Sequence, residues 1–353
     1  MTILYFLLLL SIIICIHEAG HLMAAKLFGV YCYEYSFGMG PVIFQKKGKE
    51  TIYSIRALPV GGFVSMAGEP DGDEAYPDVV VPKGRRLTEV ARWKRIIIML
   101  AGVTMNFLLA LFLFSMIFLS QGVYAESPKA IVESVVANSP AERAGFKAGD
   151  VIKEVSLDDG TSFKPETFMD MTLFFLEYEG GTENYVVDRN GETIHLKVVP
   201  EYNEEQQRYM IGIVGGESTV TKVNILNCWK YGIMEMWSIT KLMITTILRL
   251  FRGKGLEQLS GPVGIYNAAG EYASMGIIPF LFLIAQLSLN VGIFNLLPLP
   301  VLDGGQVVIT LAEGLIGHPI NQNIKLVLMG ACWVLLIGLM IFVTWNDIVR
   351  LFG

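Results

Sequence analysis

Two histidines and a glutamate stand close together near the N-terminus, in the stretch HEAGH from His17 to His21. Histidines four positions apart lie on the same face of a helix, so both can bind one metal ion. Glu18 lies beside them, where its carboxylate can take a proton from a metal-bound water. The spacing therefore predicts a zinc site with Glu18 as the general base of a hydrolytic reaction.

The histidine motif lies within a segment that is apolar enough to cross a membrane. Residues 3–15 carry no charge, and the apolar segment continues to residue 27. A spanning helix needs about 20 mostly apolar residues, and a carboxylate inside it is costly unless something compensates its charge. The segment has neither a basic start nor a small-residue cleavage site, so we interpret it as a retained transmembrane helix and not as a signal peptide.

A catalytic zinc ion usually has three protein ligands and one water, so a third ligand must come from elsewhere in the chain. Glu34, His195 and His318 are possible ligands, although Glu34 is expected in an exposed loop and His195 on a surface strand. Asp303 is the strongest candidate. It follows the stretch NLLPLPV at the end of a later apolar segment, where prolines end the helix, and two glycines after it give the turn conformational freedom.

The composition indicates a membrane protein. Of 353 residues, 53% are hydrophobic and only 17% are charged, which excludes an ordinary soluble enzyme, and the net charge of -6 argues against a nucleic-acid partner. A further apolar segment, 223–250, contains charged residues and is ambiguous, since it could cross the membrane or lie along its surface. Asp303 lies at the same depth in the membrane as the histidines only if 223–250 does not cross the membrane. The zinc hypothesis therefore predicts four membrane crossings. The four segments expected to cross are 3–27, 96–121, 276–299 and 324–348.

The predicted fold is a multi-pass α-helical membrane protein with four transmembrane helices, an inserted α+β domain and a small membrane-associated β-hairpin. Basic residues are frequent between the first two crossings, which places that loop in the cytoplasm and the inserted domain outside the cell. The predicted parts are transmembrane helix 1 (1–27), a cytoplasmic loop with the hairpin (28–95), transmembrane helix 2 (96–121), the extracytoplasmic α+β domain (125–216), an extracytoplasmic or interfacial helical segment (217–275), transmembrane helix 3 with the proline motif (276–306), and a cytoplasmic turn followed by transmembrane helix 4 (307–353).

Within the two loop regions, turn residues and apolar alternation predict the local elements. Ser139 is expected to cap a short helix in the α+β domain, and Asn190-Gly191 to form a hairpin turn. The predicted strands are 129–136, 150–157 and 209–214, with a hairpin at 185–199, a second helix at 164–178, and a cytoplasmic hairpin made of 41–45 and 51–57.

HEAGH in a first span, together with NLLPLPVLDGG in a later one, resembles the site-2 protease family of intramembrane zinc metalloproteases. The segment SPAERAGFKAGDVIKEV is similar to a PDZ domain, and AGVTMNFLLA, GGFVSMAGE and LSGPVGIYNAAGE resemble the bacterial RseP/RasP-like branch, here with a single PDZ domain. The resemblance implies Zn²⁺ held by His17, His21 and Asp303, with Glu18 as general base and Asn295 as a substrate-binding residue. It also implies a bacterial cell membrane, with lipid as partner and single-span proteins such as anti-sigma factors and remnant signal peptides as substrates.

Several alternatives stay open at this point. The zinc enzyme could instead cut soluble or loop segments at the membrane surface, or the chain could be a non-enzymatic scaffold or transporter. The PDZ-like domain could recruit substrates or exclude those with bulky outer domains, and the cytoplasmic strands could hold a substrate as an added strand. Asn106 lies on a stripe with Gly102 and Ala110 that close helix packing explains adequately.

Overall fold

The fold is given by a computed structural model of the chain. The structure describes residues 1–158, 160–175, 181–203, 208–251 and 259–352. It divides into two compact units. Unit 1 comprises Met1–Ser120 and Ile225–Gly353, and unit 2 comprises Gln121–Asn224.

In the N-terminal half of unit 1, the strands of a β-sheet follow one long helix along the chain and precede another. The elements of this half are helix α1 (Thr2–Leu27), strands β1 (Cys32–Lys47) and β2 (Ile52–Met66), the short helix α2 (Pro70–Ala75) and helix α3 (Arg92–Gln121). One end of α1 packs on this sheet and on the start of α3 through the buried residues Leu22, Ala25, Val30, Met66 and Ile98.

The sheet of unit 1 is larger than the predicted hairpin. Residues 32–37 pair on one side with 62–66 and on the other with the start of β2, so that Tyr35 lies opposite both Val64 and Tyr53. The predicted strands 41–45 and 51–57 are present, but each is part of a longer, bent strand. Gly38 and Gly61 adopt left-handed backbone conformations near these bends. Among the described residues, 62–66 therefore pairs on one side only and forms an edge of the sheet.

Glu34 is buried in β1, and its expected position in an exposed loop is wrong. Only 1% of it is exposed, and Arg56 Nη2 lies 2.8 and 2.9 Å from its two carboxylate oxygens. The hydroxyls of Ser54 and Tyr76 also donate to it. Burial alone would raise the pKa of Glu34, but these hydrogen bonds and the Arg56 charge lower it. The carboxylate thus serves to join segments of the sheet.

Unit 2 is an α+β unit with its own apolar core. Its largest sheet has four antiparallel strands in the order β6-β5-β7-β8, and three two-stranded pairs, β3 with β12, β4 with β11 and β9 with β10, complete it. The elements are β3 (Val123–Glu126), β4 (Val132–Val135), α4 (Pro140–Ala144), β5 (Val151–Leu157), β6 (Ser162–Phe163), α5 (Phe168–Phe174), β7 (Glu183–Arg189), β8 (Glu192–Val198), β9 (Glu201–Asn203), β10 (Arg208–Met210), β11 (Ile213–Gly215) and β12 (Thr219–Lys222).

Most local predictions for unit 2 are confirmed. The Ser139 side chain accepts a hydrogen bond from the Glu142 N–H at the start of α4. Asn190 and Gly191 both have positive φ in the β7–β8 turn. The single strand predicted over 209–214 is wrong, because Gly212 has a φ of 84° and divides it into β10 and β11. Helix α5 ends at Phe174, and residues 176–178 of the predicted second helix lie outside the described residues.

The C-terminal half of unit 1 is helical. Its helices are α6 (Cys228–Phe251), α7 (Pro262–Met275), α8 (Ile277–Asn295), α9 (Asp303–Ile316) and α10 (Gln322–Phe352). The sequence predicts a turn directly after residue 306, whereas the structure has α9 there. The glycine pair at its start is compatible with helix once the preceding prolines have changed the chain direction.

Four helices of the described chain are long and apolar enough to cross a membrane, in agreement with the four predicted crossings. Helix α6, which covers most of the ambiguous segment 223–250, is not one of them. The four are Thr2–Leu27, Arg92–Gln121, Ile277–Asn295 and Asn323–Val349.

Glu183, at the start of β7, yields a prediction about pH and stability. It is 2% exposed, and burial raises its pKa from 4.5 to about 7, although a hydrogen bond from Tyr185 opposes the shift. Between these two pH values the folded state binds more protons than the unfolded state, so rising pH destabilises unit 2. Glu183→Gln should therefore stabilise unit 2 above pH 7 by roughly 1 to 3 kcal/mol.

Hydrogen exchange of peptides from β5 and β7 in the full chain measures this stability. The gain in protection should shrink as the pH falls towards 4.5 and vanish below it, where the unfolded state of the wild type is protonated as well. Glu192→Gln, on the exposed start of β8, is the control and should change nothing. Equal protection of wild type and Glu183→Gln at pH 8 would contradict the prediction.

Candidate metal centre

Helix α1 presents His17 and His21 on one face, as their spacing predicts. Each residue is 8% exposed, and the two rings meet edge to face with their centroids 4.8 Å apart. Their Nε2 atoms lie 3.2 Å from each other. The carbonyl oxygen of Ile98 lies 2.8 Å from His21 Nδ1. A carbonyl can only accept, so His21 carries its proton on Nδ1, and in the neutral ring Nε2 keeps a lone pair.

Asp303 reaches the histidines through a tightly folded connection between α8 and α9. Asn295 ends α8, and Asp303 is the first residue of α9. A Cβ on Gly304 would lie 2.3 Å from the Leu296 carbonyl oxygen, and one on Gly305 would lie 2.0 Å from that of Leu299. These glycines are needed because the backbone passes so close, and not for the conformational freedom that we expected, since neither has a positive φ.

The three side chains converge on one point. Asp303 Oδ2 lies 3.1 Å from His17 Nε2 and 3.5 Å from His21 Nε2. A tetrahedral zinc ion with bonds of about 2.0 to 2.1 Å separates its ligand atoms by roughly 3.3 Å. Asp303 Oδ2 is buried and has no hydrogen-bond partner among the described residues. Electron-rich atoms directed at one another in this way need a proton or a metal ion between them, and two imidazole nitrogens with one carboxylate oxygen at these distances are a donor set that fits zinc.

Glu18 is held against the edge strand of the sheet. Its Oε2 accepts a hydrogen bond from the Val64 N–H at 3.2 Å. Two further bonds join α1 to the sheet on the same side: the Ser11 hydroxyl donates to the Pro59 carbonyl at 2.7 Å, and the Tyr35 hydroxyl donates to the Cys15 carbonyl at 3.0 Å. The sheet thus contacts the stripe of α1 that contains Ser11, Cys15 and Glu18, which lies beside the histidine face.

The other candidate ligands do not join this cluster. Glu34 is engaged by Arg56, His318 is exposed after α9 with its Nδ1 3.1 Å from the Pro319 carbonyl oxygen, and His195 is exposed on β8. Asn295 is half-buried at the end of α8, and its substrate-binding role stays a prediction.

Sequence reasoning missed the contribution of α3 to the site. A Cβ on Gly102 would lie 2.4 Å from His21 Nε2 and 2.8 Å from His17 Cε1. The Asn106 side-chain amide lies 3.2 Å from His17 Nδ1. On α1, a Cβ on Gly20 would lie 2.3 Å from the Ala101 carbonyl oxygen, so the two helices touch through their backbones. The signal in the sequence is the four-residue spacing of Gly102 and Asn106, which close helix packing also explains adequately.

Gly102 should be essential for metal binding. Gly102→Ala places a methyl group where the histidine rings lie, so they must move apart and the zinc content should fall to less than about a tenth of wild type. Gly330→Ala on α10 is the control, because its Cβ would meet nothing within 4 Å. Metal analysis of both purified proteins measures the effect, and a Gly102→Ala protein with a full zinc complement would contradict this account.

The chain matches peptidase family M50, the site-2 protease family, over residues 5–339. The match therefore includes the histidine motif, unit 2 and Asp303. Because it covers far more than half of the chain, it establishes the family.

Similar proteins have names that agree. The chain is 31% identical to the Regulator of sigma-W protease RasP of Bacillus subtilis in an alignment of 427 positions, gaps included, that covers 99% of each protein. It is 34% identical over 340 residues to a putative zinc metalloprotease of Clostridium acetobutylicum, covering 96% of this chain and 95% of the relative. It is 31% identical to the zinc metalloprotease RasP of Oceanobacillus iheyensis in an alignment of 429 positions, gaps included, that covers 99% of each protein.

These relatives decide between two of the alternatives left open by the sequence. A non-enzymatic scaffold or transporter is wrong, because the matched family consists of zinc proteases. The candidate spanning helices agree with a protein that is integral to the membrane. The chain therefore belongs to peptidase family M50, and it is an intramembrane zinc protease.

Proposed function

We propose that His17, His21 and Asp303 hold the zinc ion of this protease and that Glu18 is its general base. The observation that carries the assignment is the approach of Asp303 Oδ2 to both histidine Nε2 atoms, at 3.1 and 3.5 Å. A bound zinc ion would supply a water that ionises near neutral pH, and the ion itself would polarise the substrate carbonyl.

Glu18 moves the proton in the proposed reaction. Its Oε2 is occupied by the Val64 N–H, so Oε1 is the oxygen that takes a proton from the attacking water. As the water oxygen bonds to the carbonyl carbon, that proton passes to Glu18. Glu18 then delivers it to the amide nitrogen as the carbon–nitrogen bond breaks, which yields a new carboxyl group and a new amine.

We propose single-span membrane proteins as the substrates, including anti-sigma factors and remnant signal peptides, in a bacterial cell membrane. One relative is named for regulation of sigma-W, which supports the first class. The candidate site itself lies on a helix long and apolar enough to cross the membrane, and this favours substrates that are also within the bilayer. The basic residues of 28–95 support a cytoplasmic position for that loop, with unit 2 outside.

A helical substrate must become extended before it is cut, because its peptide bonds are otherwise hydrogen-bonded and covered. We propose that the substrate adds as a strand beside residues 62–66. This segment is an edge of the sheet, and the side chains of Glu18 and Glu69 accept hydrogen bonds from the Val64 and Met66 N–H groups, both at 3.2 Å. In the proposed complex, carbonyl groups of the substrate strand replace these two acceptors. A substrate strand here would pass beside Glu18. Asn295, with an amide that can both donate and accept, is the proposed second contact to the substrate backbone.

We propose that unit 2 is a PDZ domain outside the membrane. Its terminal strands β3 and β12 pair antiparallel, with Val123 opposite Lys222, so the chain enters and leaves unit 2 at adjacent points. Deleting residues 129–215 keeps this pair and removes the rest of unit 2. Loss of all cleavage in the shortened protein supports substrate recruitment, whereas new cleavage of substrates with intact outer domains supports exclusion.

Replacing the proposed base and replacing a proposed zinc ligand should have different effects on zinc content and on cleavage. Glu18→Gln should keep zinc at the wild-type level but reduce cleavage of a single-span substrate by at least about a hundredfold, because the general base is gone. Asp303→Asn should lose both zinc and cleavage. Metal analysis and a cleavage assay in reconstituted vesicles measure the two quantities, and an Asp303→Asn protein with full zinc occupancy would overturn the ligand set.

A second substrate in the same vesicles separates cleavage within the membrane from cleavage at its surface. We expect wild-type protein to cut the single-span substrate and to leave an unfolded soluble protein intact. Equal cleavage of both substrates would favour the membrane-surface protease.

The edge strand can be tested with proline. Val64→Pro removes an outward N–H and leaves strand pairing possible at an edge. It should lower kcat/KM by about fivefold or more, because the Val64 N–H can then neither hold Glu18 nor pair with a substrate strand, and each lost hydrogen bond costs about 1 kcal/mol. The zinc content should stay at the wild-type level. Ile43→Pro is the control, because its segment lies on the opposite edge of the sheet. Wild-type cleavage by Val64→Pro would rule out strand addition at this edge.

A further inference from the structure

Asn106 stands in direct contact with one of the proposed zinc ligands. It is on α3, is 0% exposed, and its Nδ2 lies 3.2 Å from His17 Nδ1. Its Oδ1 is buried without a hydrogen-bond partner among the described residues. The oxygen and nitrogen of an amide are nearly isosteric, so their assignment follows from the chemistry of the neighbours.

The two orientations of this amide have opposite consequences for His17. If Nδ2 donates to His17 Nδ1, the single proton of the neutral ring is on Nε2, and this atom cannot bind a metal. If Oδ1 faces the ring, His17 donates from Nδ1, and the Nε2 lone pair faces Asp303 Oδ2 at 3.1 Å. The orientation with Nδ2 towards the ring leaves Oδ1 without a hydrogen-bond partner among the described residues, so hydrogen bonding does not favour that orientation.

The second histidine shows which arrangement the site uses. The backbone carbonyl of Ile98 lies 2.8 Å from His21 Nδ1, and this carbonyl can only accept. Ile98, Gly102 and Asn106 are spaced by four residues on the same face of α3. Gly102 leaves space for the two rings. One turn before it the Ile98 carbonyl contacts His21 Nδ1, and one turn after it the Asn106 amide contacts His17 Nδ1.

We propose that Asn106 is a positioning residue that accepts a hydrogen bond from His17 Nδ1 through Oδ1 and so keeps His17 Nε2 available to zinc. The inference depends on the proposed ligand set. The backbone at Asn106 is itself held, because the buried Ser288 hydroxyl of α8 donates to its carbonyl oxygen at 3.0 Å. Helix α8 leads to Asp303, so Asn106 connects the helix that carries the histidines to the chain segment that carries the aspartate. Acceptors of this kind typically change metal affinity by about ten- to a hundredfold.

The test is zinc affinity, measured by competition with a chromophoric chelator on the full chain in detergent. Asn106→Leu removes the acceptor and should weaken zinc binding by about ten- to a hundredfold. Asn106→Asp keeps an acceptor and removes the donor, so its affinity should stay within a few-fold of wild type or increase. Asn106→Ala, which cannot overfill the site, should resemble Asn106→Leu. Ser115→Ala, another buried polar change on α3, should leave the affinity unchanged.

The pattern across the variants decides the proposal. Wild-type affinity in Asn106→Leu and Asn106→Ala would overturn it, and so would equal weakening in Asn106→Asp and Asn106→Leu, which would indicate that the site needs the amide as a donor. Failure of the underlying ligand set has a different result, because Asp303→Asn would then bind zinc like the wild type. Thermal unfolding of the zinc-free proteins serves as the check that each variant is folded.

Discussion

The site depends on one unfavourable contact, the approach of three electron-rich atoms to within 3.5 Å of one another in a buried place. Two imidazole nitrogens and a carboxylate oxygen repel each other at this distance unless a proton or a metal ion lies between them. The surrounding fold must therefore hold α1 and the start of α9 together against that repulsion. In the proposed site, zinc binding removes the repulsion and adds its own stabilisation to the folded state.

The fold achieves this mainly by close contact between backbones. Gly20 brings α1 onto α3, Gly102 leaves space for the two rings, and Gly304 and Gly305 allow the start of α9 to fold back onto the end of α8. Each of these contacts is too short for any side chain. Small residues thus set the positions of the three proposed ligands. The Ile98 carbonyl and the Asn106 amide, which lie beside the histidines, orient the two rings.

The convergence of His17, His21 and Asp303 was easier to predict from the sequence than the structure around them. His17 and His21 form a local helical pattern, and Asp303 follows prolines that end a helix. Both features can therefore be found in short stretches of sequence, and the requirement that all three side chains lie at one depth in the membrane connects them. The pairing of 32–37 with 62–66 could not be found in this way, because it joins residues far apart in sequence. Glu34 was misjudged for the same reason, since its partners Ser54, Arg56 and Tyr76 meet only in the folded sheet. Asn106 looked like a packing residue because spacing alone does not show what a helix face touches.

The central claim is that one zinc ion is bound by two nitrogens from α1 and one oxygen from the start of α9. Anomalous diffraction at the zinc edge, from crystals of the zinc-loaded protein, tests it most directly. The account predicts a single strong peak about 2.0 to 2.1 Å from His17 Nε2, His21 Nε2 and a carboxylate oxygen of Asp303. A peak bound to the histidines but separated from Asp303 by more than about 3 Å, with another residue as third ligand, would contradict it.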